Sequence, residues 1–109
     1  MTITQGDSYP IYIQLLSDGL VIKPYMVKEV EICVGSAWRK LFSSGEVQFD
    51  TSTQQWYIYP TQQETLDLQE NQSYEITARI KTESNGVVEV CAVRCGRITV
   101  NDGESNEVI

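Results

Sequence analysis

At 109 residues the chain suffices for one domain with its own core, and 41% hydrophobic against 21% charged residues is the composition of a folded rather than a disordered protein. Lys+Arg 8 against Asp+Glu 15 gives a formal charge of -7, which leaves no basic stripe for nucleic acid or for an anionic membrane surface. Histidine is absent, so Ser-His-Asp and Cys-His nucleophiles and HExxH zinc chemistry are excluded together with the commonest general base.

Along the chain, Met1 to Asp7 has neither the basic nor the apolar region of a secretory signal, and no apolar run is long enough to span a bilayer. The expectation is a protein made in the cytoplasm, without a signal peptide. The first periodic run has Ile11, Ile13 and Leu15 alternating with Tyr12 and Gln14, the signature of a half-buried strand. Val30, Ile32 and Val34 alternate in the same way with Glu29, Glu31 and Cys33, and Val47/Phe49 and Trp56/Ile58 continue the series. Thr61-Gln-Gln-Glu64 has the form of a capping box, so a single helical turn is the alternative, but Leu66 and Leu68 stand two apart, and the spacing favours a short strand there. Tyr74, Ile76, Ala78 and Ile80 form the clearest strand. Val88, Val90 and Ala92, then Ile98 and Val100, complete the predicted inward faces.

Asn85-Gly86 is a type I′ turn signal, because both central positions need positive φ, and it predicts a hairpin between strands at 74–82 and 87–93. Turn clusters at Asp18-Gly19, Gly35-Ser36, Ser43-Ser44-Gly45, Thr51-Ser52-Thr53, Asn71-Gln72-Ser73 and Gly96 fall at the spacing of a sandwich or barrel. The reading is all-β, with one domain over 1–100 and a polar tail over 101–109. Tyr74, opening a strand after Leu68 and a polar turn, fits either a tyrosine corner bonded back to the connecting loop or a core tyrosine at the sheet edge.

Chemistry-bearing candidates are few. Glu29 and Glu31 share a strand face, which reads as solvated rather than catalytic. Cys33, Cys91 and Cys95 offer three thiols at spacings unlike a zinc site, so no metal ligand, cofactor or catalytic residue is predicted. By parity with Glu31 and Glu89, Cys33 and Cys91 both point outward, and free thiols are expected, with a Cys33–Cys91 bridge as the alternative. The glycines are isolated and build no phosphate loop. What remains is surface: Tyr57 and Tyr59 lie opposite Trp56 and Ile58, flanked by Gln54, Gln55, Gln62 and Gln63. That face is a protein interface, a shallow glycan platform, or a layer covered by a second sheet.

Several short motifs resemble a family of small siphophage and prophage proteins of Gram-positive bacteria. They are Gln5-Gly6-Asp7, Pro60-Thr-Gln-Gln-Glu-Thr-Leu-Asp-Leu68, Tyr74-Glu-Ile-Thr-Ala-Arg-Ile80, Asn85-Gly86, Gly96-Arg-Ile-Thr-Val100 and Glu107-Val-Ile109. The N-terminal half, with Gln5-Gly-Asp7, Asp18-Gly19 and Gly45-Glu-Val47, is also similar to the immunoglobulin-like N-terminal domain of phage upper baseplate proteins. The resemblance implies an immunoglobulin-like antiparallel β-sandwich of about seven to nine short strands. It also implies a non-catalytic virion or assembly role, tail or baseplate associated, with other virion proteins or a second copy as partners. A carbohydrate-binding or adhesin-like module is the alternative. The bland account of the same motifs is that they encode only a strand and its turns.

Overall fold

The computed structural model describes residues 1–105 and 107–109, and the fold is all-β. Strands are β1 (Thr2–Thr4), β2 (Ile11–Ile13), β3 (Leu16–Ser17), β4 (Leu20–Val21), β5 (Glu29–Val34), β6 (Trp38–Leu41), β7 (Val47–Asp50), β8 (Gln55–Ile58), β9 (Ser73–Ser84) and β10 (Val87–Asn101). A five-stranded sheet in the order β1-β10-β9-β5-β6 faces a three-stranded sheet in the order β2-β8-β7, and β3 and β4 form a separate ribbon. Among the described residues, pairings are antiparallel except β1 with β10, where Thr2 lies opposite Thr99 and strands from near the two ends of the chain close the large sheet.

The period-two residues fill the space between the sheets. Val30, Ile32, Val34, Ala78, Ile98 and Val100 from the large sheet and Ile11, Val47, Trp56 and Ile58 from the small one are essentially without solvent contact. Trp56 is the centre of this core: Phe42 and Phe49 meet its ring edge-on, both at 5.2 Å, and its Nε1 donates to the Ile22 carbonyl at 2.7 Å. The polar atom of the largest buried side chain is thereby satisfied.

The Asn85-Gly86 turn forms as the dipeptide requires, with φ of 52° and 80°, and sets Val87 opposite Ser84. Tyr74 resolves its two readings, since its hydroxyl accepts from the Gln69 amide at 3.0 Å and so ties the strand back to the preceding loop. Its ring packs over Gly35, where a Cβ would lie 2.9 Å from the Tyr74 Cδ1.

The structure corrects the sequence reading at several points. Residues Gln62–Leu66 form a helix, α1, not a strand. The capping box closes in both directions, Glu64 N to Thr61 Oγ1 at 3.1 Å and Thr61 N to Glu64 Oε1 at 3.0 Å, and the buried pair is Thr65 and Leu68 rather than Leu66 and Leu68. Val88, Val90 and Ala92 are exposed instead of inward, because a bulge between Arg94 and Gly96 inserts one residue and inverts the alternation. Ile98 and Val100 face the core beyond it, while Cys91 and Val93 take the inner side before it. Cys91, opposite Ile80, therefore shares the inner face and not the outer one. Strand lengths also depart from expectation, since β9 has 12 residues and β10 has 15. The strand runs into the predicted tail as far as Asn101, and Asn106 of that tail lies outside the described residues.

Candidate functional site

β8 is the central strand of the small sheet, so its alternation decides what that sheet presents on each side. Trp56 and Ile58 enter the core, and Gln55, Tyr57 and Tyr59 are left to the outer face. Register places Tyr12 of β2 and Gln48 of β7 on either side of Tyr57. The Tyr12 and Tyr57 rings pack at 5.5 Å with a 46° tilt. Tyr57 donates its hydroxyl to Gln48 Oε1 at 2.5 Å, and the Tyr12 hydroxyl reaches Asp50 Oδ2 at 3.4 Å. Desolvation, and then the Asp50 carboxylate, push the Tyr12 phenol above its ordinary value, so it stays protonated. Tyr12 is 45% exposed and Tyr59 57%, and among the described residues no second layer covers this face.

Of the residues singled out in the sequence, Tyr57, Tyr59 and Gln55 lie on this face, Gln55 opposite Asp50. Gln54 does not belong to it. It occupies the β7–β8 turn at φ 57°, gives its amide to the Thr51 carbonyl at 2.6 Å, and lines a depression with Leu20, Lys23 and Tyr25. Gln62 and Gln63 sit on α1, where Gln63 bonds Asp67 at 2.9 Å and Gln62 accepts from the Ile109 amide at 2.9 Å. Tyr12 is the member that sequence reasoning passed over. Its signal was its place on the wet face of the first strand, but joining it to Tyr57 requires the β2–β8 register, which nothing local encodes.

On the outer face of the large sheet, Glu31 is not the solvated acid its neighbours suggested. It is 5% exposed, covered by guanidinium groups from both adjoining strands. Arg79 binds it in bidentate fashion, Nε to Oε1 at 2.6 Å and the terminal nitrogen to Oε2 at 2.8 Å, and Arg39 Nε adds a contact to Oε2 at 2.6 Å. Hydrogen bonding to Arg79 first, opposed by desolvation and aided by Arg39, holds the carboxyl at about 2. A carboxylate so held is a weak base and is not protonated near neutrality, so general acid–base work at this position is disfavoured on chemical grounds. Cys33 contacts the same carboxylate at 3.5 Å, and burial, then Glu31, push its thiol up.

The family-like motifs meet one another. The Gly6 amide donates to Thr65 Oγ1 at 3.0 Å, Thr65 Oγ1 donates to the Asp7 carbonyl at 2.8 Å, and Gln5 Nε2 donates to the Leu68 carbonyl at 2.7 Å. Gln5-Gly6-Asp7 is therefore fastened to the helix of the Thr61–Leu68 motif, and both motifs hold the fold at this point. Among the described residues no three His, Cys, Asp or Glu side chains converge as metal ligands, and no helix is long and apolar enough to cross a membrane. Comparison of the chain with protein-family models, with curated proteins and with solved structures finds no match.

Proposed function

We propose that this chain is a non-catalytic docking module of a phage or prophage particle, tail or baseplate associated, built on an immunoglobulin-like sandwich. The observation that carries the docking role is the uncovered aromatic face of the small sheet, where Tyr12 and Tyr57 pack as a pair and Tyr59 is 57% exposed. Tyrosine supplies large contact area with few rotatable bonds, which is why it is enriched where proteins associate. Placement in a virion rests on the resemblance of the Gln5-Gly6-Asp7, Thr61–Leu68 and Asn85-Gly86 motifs to small phage proteins. The Tyr74 corner supports the immunoglobulin-like part of that reading.

A glycan platform is the second reading, favoured by the Gln48 amide and Asp50 carboxylate beside the tilted rings. One variant separates the two. Tyr57→Ser/Tyr59→Ser should remain folded and fail to co-purify with the tail proteins that the native chain retains. Binding of the native chain on a glycan array, abolished by the same substitutions and without any retained tail protein, would replace the docking role with the glycan one.

A further inference from the structure

The edges of the two sheets are not alike. β1 and β2 have three residues each, and β6 and β7 four. On β6, Lys40 points into the sandwich, where Glu64 of α1 meets its Nζ, an inward charge that discourages another strand from adding there. β10 is different. Its partner on the far side, β1, covers only Thr99 to Asn101, with Met1 closing against Arg97 and Thr99. From residue 87 to the bulge the strand has a neighbour only in β9, among the described residues.

The hairpin turn settles which main-chain groups are free there. A two-residue type I′ loop makes Ser84 and Val87 a hydrogen-bonded pair, so Val87, Glu89, Cys91 and Val93 direct their amides and carbonyls toward β9. Val88, Val90 and Ala92 direct theirs away, to the open edge. Beyond the bulge the alternation is inverted, as it must be, since the Arg97 carbonyl and the Thr99 amide reach Met1. The open stretch has no Pro or Lys, and Val87, Val88 and Val90 are 57%, 50% and 61% exposed. By the physics of sheet edges this is a strand ready to accept another strand.

We infer that the open edge of β10 pairs antiparallel with the same edge of a second copy, about a two-fold axis through Val90. The sequence of the edge selects this occupant. A two-fold axis sets each residue opposite its counterpart at equal distance from the centre, so a self-pairing strand must read compatibly in both directions. Val-Val-Glu-Val-Cys-Ala-Val, residues 87–93, does so: Val87 meets Val93, Val88 meets Ala92, Glu89 meets Cys91 and Val90 meets itself. No Glu lies directly opposite another. Length agrees as well, because the partner's Asn85-Gly86 turn then falls beside Arg94 at the bulge, before Met1 occupies the edge. The joined sheet would run continuously through both molecules. This surface is distinct from the tyrosine face, and the inference does not rest on the function proposed above.

Sedimentation and cross-linking test it. The native chain should sediment as a dimer at high micromolar concentration. Val90→Pro removes an amide that only the second copy uses, so it should sediment as a monomer at concentrations where the native chain is a dimer, and should melt as the native chain does once both are diluted to monomer. Val90→Lys, which keeps that amide and sets two like charges on the axis, should weaken the dimer too, and covers the case in which proline disturbs the strand. Glu89→Cys places a second thiol opposite Cys91 of the other copy, and mild oxidation should give a covalent dimer. A native chain that stays monomeric, a dimer that survives both Val90 substitutions, or a dimer in which Glu89→Cys does not cross-link would overturn the inference.

Discussion

Trp56 and Tyr57 are adjacent aromatic residues with opposite surroundings, and their substitutions should behave accordingly. Trp56 has no solvent exposure, is packed by Phe42 and Phe49, and donates to Ile22. Trp56→Ala should cost about 3–5 kcal/mol, because it leaves both a cavity and an unpartnered carbonyl. Tyr57→Ser/Tyr59→Ser, on the outer face, should cost about 1 kcal/mol or less, and denaturant melts of the two variants give the comparison. A second residue-scale expectation concerns acid. The folded Glu31 carboxyl sits at about 2 against an ordinary 4.5, so its stabilisation is complete above the ordinary value and is lost as pH falls from there through about 2. The whole shift corresponds to about 3 kcal/mol. Arg39 and Arg79 are 62% and 58% exposed, and solvent screening lowers the contribution to on the order of 2 kcal/mol. Native protein should therefore lose more stability than Glu31→Gln between about pH 5 and about pH 3, measured by denaturant midpoints at each pH.

At the scale of elements, legibility in the sequence followed how local each determinant is. The β9–β10 turn needed only Asn85 and Gly86, and β5 and β9 needed only their own alternation, so these were readable. Helix α1 was misread because its buried position is Thr65, a polar residue whose value lies in Gly6 and Asp7, far away in the chain. At the β10 bulge Gly96 marked a break in the pattern but was read as a turn, because an isolated Gly fits a turn or a bulge equally until the continued pairing with β9 and the closure with β1 are known. The same non-local dependence hid the Tyr12–Tyr57 pair and the cover of Arg39 and Arg79 over Glu31. The α1 attachment is open to measurement. Thr65→Val preserves shape while orphaning the Gly6 amide and the Asp7 carbonyl, and should cost about 1–3 kcal/mol. Thr61→Ala, which removes the cap alone, should cost about 1 kcal/mol. Equal losses from the two would mean that Thr65 serves only its own helix.

Across the whole molecule, length along one axis comes from the hairpin. The principal extents are 52 × 24 × 24 Å and the Cα radius of gyration is 14.9 Å, against roughly 13 Å for a compact chain of this size. β9 runs past its pairing with β5, which ends at Lys81, and carries the start of β10 with it. The inner face of that extension is bordered by Leu16, Ile22 and Met26, and Cys91 lies there, opposite Ile80. Cys33 lies on the other face of the same sheet, against Glu31. A bridge between them would have to pass through the sheet, and a one-residue slip of β10 that brought Cys91 to the outer side would carry Val93 outward with it and abandon the Asn85-Gly86 turn. No disulfide thus ties the two sheets together, and Cys33, Cys91 and Cys95 are all free. Denaturing the protein without prior reduction should expose three thiols to a thiol reagent, and the denaturant midpoint should not move when reductant is added. A single reactive thiol would mean a bridge, and if peptide mapping placed it between Cys33 and Cys91, β10 would need a different register than the pairing of Cys91 with Ile80, and with it a different account of which residues form the open edge.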